Sequence, residues 1–164
     1  MYFAHISEDH TRYQTIAEHL KGTAELAAVF SDVFHCADWG YSCAMLHDIG
    51  KYSAKFQKRF FGGAMTDHAT AGAKEAYSLG NYPAAYCIAG HHSGLLDGGS
   101  PADIGGEATL QGRMQKNLED YREFHREVDI PELPARIPVT PLGKPLKFSL
   151  PELETGHHPC GGVD

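Results

Sequence analysis

Apolar residues recur at helical spacing along most of the first 128 positions, and then the pattern stops. In "TIAEHLKGTAELAAVF", Thr15 to Phe30, the positions Ile16, Leu20, Ala24, Ala27 and Ala28 fall on one face with His19 beside it, which predicts a helix. A second helix is expected to start at Asp38, a residue type suited to an N-cap, and to run through "WGYSCAMLHDIG" with a break or bend at Gly50. "SAKFQKRFF" fits another turn or two, stopped by Gly62 and Gly63. "MTDHATAGAKEAYSLG" reads as an Ala-rich helix closing at Gly80, and "YPAAYCIAGHHSG" as one starting at Pro83. Residues 94–106 hold five glycines and a proline and are expected to form a loop. "EATLQGRMQKNLEDYREFHREV" reads as a long, highly charged helix. No stretch alternates apolar and polar residues well enough to predict a strand, so the domain is expected to be all-α.

After Val128 the character changes. Seven of the nine prolines lie between Pro131 and Pro159, and helical periodicity disappears. Each proline removes a backbone donor and restricts the residue before it. Residues 1–128 are therefore expected to be one folded domain. Residues 129–164 are expected to be an irregular tail that is extended, disordered or laid along a surface, with 131–164 open to proteases.

Composition narrows the chemistry. With 164 residues the chain suits one domain with a real core. Its net charge of −7, with histidines neutral, is a poor match to a basic nucleic-acid-gripping face, and a better one to carboxylates that hold cations. Cys36, Cys43, Cys87 and Cys160 show no CxxC spacing, and "MYFAHISEDH" has no apolar signal region. Four reduced thiols in a cytoplasmic protein are expected, the first three packed in helices. No apolar run approaches the roughly 18 residues of a membrane span.

The unusual number is 11 histidines, scattered from His5 to His158. His19, His47, His68, His91 and His92 each sit in or at the end of an expected helix, and Asp48 follows His47 directly. A histidine beside an aspartate on an apolar segment carries a desolvation cost unless something pairs them. Any one such histidine is more often structural than a ligand; five in apolar helical context together with an aspartate reverse those odds. Imidazole nitrogens and carboxylate oxygens together suit Mn, Fe, Co, Ni or Zn, and helices of a bundle build such sites from inward-facing side chains.

The order H…HD…H…HH resembles the HD superfamily of metal-dependent phosphohydrolases. "AEHL", "LHDIGKYSAKFQ", "DHATAGA" and "IAGHHSGLLDGGSPAD" closely resemble the N-terminal HD nuclease domain of the CRISPR-associated nuclease-helicase of type I interference, over about residues 1 to 120. The resemblance implies an HD helical bundle and two divalent ions, transition metals by preference with Mg possible. His19, His47 and Asp48 would hold one ion; Asp48, His68, His91 and His92 would hold the second, with Asp48 as the bridge. Lys51 would stand near the scissile phosphate; its position alone equally suits a solvated lysine at a helix end, where it favours the dipole. The implied reaction is cleavage of single-stranded DNA delivered by helicase domains and an RNA-guided surveillance complex, with no membrane involved. The family completes its first metal site with an aspartate on a later helix. No such helix is expected after Val128, where Asp129 and Asp164 stand in another context, so the chain resembles a truncated N-terminal piece lacking the helicase domains.

Around this set the residues allow further roles. Lys55, Lys58 and Arg59 follow Lys51 near helical spacing with Phe56, Phe60 and Phe61 interleaved, a mixture that can track a single strand, although a solvated face over core phenylalanines is the commoner outcome. Ser93 is a candidate substrate contact at the end of the histidine-pair helix, where Gly94 equally suits a C-cap. His157 and His158 in the tail are expected to be merely solvated. Two other readings stand beside the nuclease: an HD phosphohydrolase acting on nucleotides, and a catalytically incomplete docking or inhibitory fragment.

Overall fold

Thr15 marks the point where the chain turns from strand to helix. In the computed structural model, which describes residues 1–105 and 108–134, the Glu18 amide donates to the Thr15 hydroxyl while the Thr15 amide donates to the Glu18 carboxylate. This reciprocal pair satisfies two amide donors at the helix start. Helix α1 (Ile16–Asp32) then buries Ile16, Leu20 and Ala24, the face set by the apolar spacing. Helix α2 (Ala37–Leu46) packs along α1. It begins one residue before Asp38, which occupies the first turn instead of the cap.

Beyond α2 come a 3-10 turn (Ile49–Tyr52), the short α3 (Ala54–Lys58) and a second 3-10 turn (Arg59–Phe61). Helices α4 (Ala69–Ser78) and α5 (Tyr82–Gly90) form the second packed pair. Asn81 caps α5 by accepting from the Ala84 amide, and its own amide group donates to the Pro134 carbonyl at 2.7 Å. The pair is lined by Ala71, Ala73, Ala76, Ala84, Ala85 and Ala89, all buried. Small side chains let these backbones approach closely, and a Cβ on Gly72 would overlap the Leu46 carbonyl oxygen. Met45, Leu46, Ile49, Tyr52 and Ile88 fill the space between the two pairs.

Two further expectations change. The chain does form strands: β1 (Phe3–Ile6) and β2 (Tyr13–Thr15) pair antiparallel, with Phe3 opposite Thr15, His5 opposite Gln14 and an irregularity between them. Their length, four and three residues, is too short for alternation to show. The long charged helix is also two short ones, α6 (Leu110–Gln115) and α7 (Phe124–Glu127). Lys116 turns extended at φ −62, ψ 137. Contacts to α4 hold the break open: Lys74 donates to the Lys116 carbonyl at 2.5 Å, and the Tyr121 hydroxyl donates to Glu75 at 2.8 Å. Tertiary bonds here override local helix propensity.

Residues 129–134 have no regular structure, yet they follow the domain surface. Leu133 is buried, and the Ser42 hydroxyl donates to the Glu132 carbonyl. The rest of the Pro-rich segment, including His157, His158, Cys160 and all of the expected protease-sensitive stretch 131–164 beyond Pro134, lies outside the described residues. Cys36, Cys43 and Cys87 are free thiols. Cys36 precedes α2 and Cys87 is exposed, so packing inside a helix holds best for Cys43, whose thiol burial pushes up to about 12. No helix among the described residues is long and apolar enough to cross a membrane.

Candidate metal centre

Helix α2 stops just where the chemistry begins. Its last residue is Leu46; His47 still holds helical angles, and Asp48 leaves them at φ −118, ψ 16. The His47–Asp48 pair therefore sits at a helix end rather than inside a helix as its apolar context suggests. The break carries the Asp48 carboxylate into the interior, where the residue is 2% exposed.

Side chains from four parts of the chain surround that carboxylate. At Oδ2 are Lys51 Nζ at 2.8 Å, His19 Nε2 at 2.9 Å and His47 Nε2 at 3.2 Å. At Oδ1 are His68 Nε2 at 3.3 Å and His91 Nε2 at 3.4 Å. The last two contacts are electrostatic only: Oδ1 is a buried acceptor with no hydrogen-bond partner among the described residues. Burial by itself would raise the Asp48 pKa, but the imidazoles of His19, His47, His68 and His91 outweigh it and hold the carboxyl far below the usual carboxylate range.

Backbone carbonyls aim the imidazoles. His47 Nδ1 lies 2.5 Å from the Ala44 oxygen, His91 Nδ1 2.7 Å from that of Ile88, and His68 Nδ1 3.3 Å from that of Thr66. With Nδ1–H donating to a carbonyl, Nε2 is left to face Asp48, as N–H toward the carboxylate when the ring is protonated and as a lone pair toward a cation when it is neutral, the arrangement that orients metal-binding histidines. His68 precedes α4, and its Nε2 meets His92 Nε2 at 2.8 Å. Burial acts to lower the His91 pKa, but the Asp48 contact and the Ile88 carbonyl together outweigh it and raise the value. Burial and then the neighbouring His91 and His68 lower that of His92.

These donor atoms fall into two groups. Asp48, His68, His91 and His92 form one, His19, His47 and Asp48 the other, with the atoms of each within 4.8 Å of one another. Two ligands about 2.0–2.1 Å from one tetrahedral ion lie roughly 3.3 Å apart. Five of the spacings, from 2.8 to 3.4 Å, bracket that value, and the others lie within 4.8 Å. The orphaned Oδ1 and the Nε2 atoms turned toward it are the environment a divalent cation satisfies. The donor set fits the group.

The basic row of the sequence divides. Lys51 is buried, and its ammonium is committed to Asp48. Lys55 borders a separate hollow of about 450 Å³ with Asp67 and Lys116. Lys58 is exposed and lines neither that hollow nor the cleft beside the cluster, while Arg59 and Ser93 do border the cleft, with His68 and His92. Phe56 is core, Phe60 meets it edge-on at 5.7 Å, and Phe61 is 83% exposed. Asp129 is exposed and belongs to neither donor group, and Asp164 lies outside the described residues. Sequence reasoning missed two neighbours. His5 on β1 packs edge-on to His19 at 5.0 Å, and the alternation that could have placed it spans only four residues. Arg113 lines the cleft beside Arg59, hidden in what reads as a solvated charged helix.

The model of the HD domain family matches residues 16–131. The chain belongs to the HD domain family. No match is found among individually curated proteins. HD domains are metal-dependent phosphohydrolases, and in this one the buried His/Asp cluster fits divalent metal binding.

Asp67, just ahead of His68, anchors the start of α4. It accepts from the Thr70 amide at 3.1 Å, the Thr70 hydroxyl at 2.8 Å and Lys116 Nζ at 2.7 Å. Burial acts to raise its pKa, but the bonds from Lys116 and Thr70 override it and set the value at about 2, against an ordinary 3.8. A depressed folded-state pKa adds stability above the unfolded value that is lost as pH falls through the folded one. Asp67→Asn is therefore expected to cost about 1 kcal/mol at pH 7, with the difference from wild type closing as pH drops from 3.8 to about 2. Urea midpoints across that range check this, and a pH-independent gap would contradict it.

Proposed function

We propose that this HD domain is a dinuclear-metal nuclease that hydrolyses phosphodiester bonds of single-stranded DNA in type I CRISPR interference. The observation that carries the reading is the membership of Asp48 in both donor groups. Two cation sites sharing one carboxylate suit the displacement at phosphorus that two-metal phosphodiesterases perform. The motifs around the cluster, "LHDIGKYSAKFQ" and "HHSGLLDGGSPAD", supply the resemblance to the nuclease.

In this reading His19, His47 and Asp48 hold one ion and Asp48, His68, His91 and His92 the other. Bound there, divalent ions supply Lewis acidity to the phosphate and to the attacking water. The chain's own residues do the positioning. The carbonyls of Ala44, Ile88 and Thr66 fix the rings of His47, His91 and His68. Lys51 holds Asp48 Oδ2 at 2.8 Å and so orients the shared carboxylate. To neutralise charge on the phosphate, Lys51 must exchange that contact for the substrate. Helicase domains and an RNA-guided surveillance complex would deliver the strand in the cytoplasm.

The test is digestion of circular single-stranded DNA by the purified protein with Mn, Co, Ni, Fe, Zn or Mg, beside nucleoside triphosphates and cyclic nucleotides. Cleavage of the circle with a transition metal, abolished by chelator, is the expected result and assigns an endonuclease. Hydrolysis confined to the nucleotides would replace this reading with that of a nucleotide phosphohydrolase. Inactivity on every substrate despite bound metal would favour a docking or inhibitory role, for which the first group, with three protein ligands against four, gives a reason.

A further inference from the structure

A cleft of about 430 Å³ opens beside the second donor group, lined by Arg59, Thr66, Asp67, His68, His92, Ser93 and Arg113, among others. Its size falls in the range of small-ligand sites. Two guanidinium groups border it in a chain whose net charge is −7. Among the described residues neither arginine pairs with a carboxylate, while the one acid on the rim, Asp67, is neutralised by Lys116 at 2.7 Å.

Both arginines are held in place. Arg59 lies over the Phe56 ring, 5.8 Å from its centroid. Arg113 donates from Nη1 to the Ala89 carbonyl at 2.8 Å and from Nη2 to the Ser93 hydroxyl at 3.2 Å. A guanidinium has five N–H donors, so Arg113 keeps donors beyond those two bonds. Ser93 lies two residues past His91 and one past His92, so Arg113 is tied to the same chain segment that carries the histidine pair.

We infer that Arg59 and Arg113 clamp a phosphate of the nucleic-acid strand next to the one being cleaved. The reading rests on the nuclease assignment above and deepens it. The donors at the cluster take the scissile phosphate, and the cleft takes its neighbour. A strand presents both at once, whereas a mononucleotide cannot fill the cleft and the cluster with separate phosphodiesters. Backbone phosphate contacts of this kind fix the register of a strand without reading its sequence, and the planar guanidinium suits two phosphate oxygens together. The competing role for Arg113 is structural, as a cation bonding the Ala89 carbonyl near the end of α5.

Fluorescence anisotropy of a labelled oligothymidylate, with chelator present, separates these roles and needs no activity. Wild type, Arg59→Ala, Arg113→Ala and Arg113→Lys are titrated, with thymidine monophosphate and inorganic phosphate as competitors. Each alanine variant is expected to bind the strand about tenfold more weakly, the effect of losing one bond to a charged group. The slope of log affinity against log salt is expected to fall by about 0.7, one phosphate's share for a single strand. Arg113→Lys should fall between, keeping the charge and losing the fork. The monophosphate and free phosphate should compete only at far higher concentration than the strand.

A lower thermal midpoint for Arg113→Ala with unchanged affinity and slope assigns it the structural role alone and overturns the clamp. If Arg113→Ala fails to fold, the exposed Arg59 decides the matter through Arg59→Ala. Absence of strand binding by the wild type also overturns the clamp. Weaker strand binding by both alanine variants, with no cleavage by wild type with any of the metals above, would sink the nuclease reading and leave only a clamp on a bound strand's phosphate; cleavage with wild-type affinity in both alanine variants would do the reverse.

Discussion

Asp48→Ala should leave a protein that retains no divalent ion at the cluster and melts no higher than chelator-treated wild type. Asp48 belongs to both donor groups, whereas each histidine belongs to one. Its removal leaves His19 and His47 alone on one side and three imidazoles on the other. It also strands Lys51, whose side chain is 5% exposed and whose ammonium meets Asp48 at 2.8 Å. Breaking a buried ion pair from one side costs about 3–5 kcal/mol, because the remaining charge has neither partner nor water. Loss of metal adds to that, since ions that bind only the folded state stabilise it by mass action. His91→Ala should behave differently: it deletes one ligand of four from one group and leaves His19, His47 and Asp48 intact. Metal content per chain and thermal midpoints decide, measured for both variants and wild type with and without chelator. Two ions retained by Asp48→Ala, or a wild-type midpoint indifferent to chelator, would refute the shared role.

The parts of this fold legible in the sequence are those where burial follows a period. Ile16, Leu20 and Ala24 repeat at helical spacing and are all buried, and the alanines of α4 and α5 likewise face the core. The donor groups were legible for another reason. A histidine beside an aspartate in an apolar run needs a partner, and the remaining histidines lie on successive segments that can supply one. What failed to show was set by tertiary bonds. The stretch from Glu107 to Val128 is rich in helix formers, yet Lys74 and Glu75 on α4 bind Lys116 and Tyr121 and break it. The inward turn of Lys51 depends on a 3-10 turn and not on side-chain periodicity. Arg113 carries no signal of its own, because its partners, Ala89 and Ser93, lie 24 and 20 residues away.

Gly50→Ala should damage the cluster without touching any ligand atom. Gly50 lies between Asp48 and Lys51 in the 3-10 turn, directly against the backbone of His68. A Cβ there would overlap the His68 carbonyl oxygen and lie 2.8 Å from the His68 Cα. The obstructing atoms are main chain, so no side-chain rotation relieves the clash. Either the turn carrying Asp48 and Lys51 moves, or the start of α4 carrying His68 does. Overpacking of this kind costs about 1–3 kcal/mol, and a domain of this size loses roughly 2–4 °C in midpoint for each kcal/mol. His68 Nε2 now lies 3.3 Å from Asp48 Oδ1. Moving one backbone off the other widens that gap, so the group of Asp48, His68, His91 and His92 should lose metal before the group of His19, His47 and Asp48 does. Gly22→Ala, at an exposed position of α1, is the control. No atom lies within 4 Å of the Cβ it adds, and replacing a glycine in a helix interior should stabilise by up to about 1 kcal/mol. One methyl group is thus expected to act with opposite sign at the two positions. A Gly50→Ala protein that melts with wild type and binds as much metal would show that the contact between the turn and α4 does not set the ligand geometry.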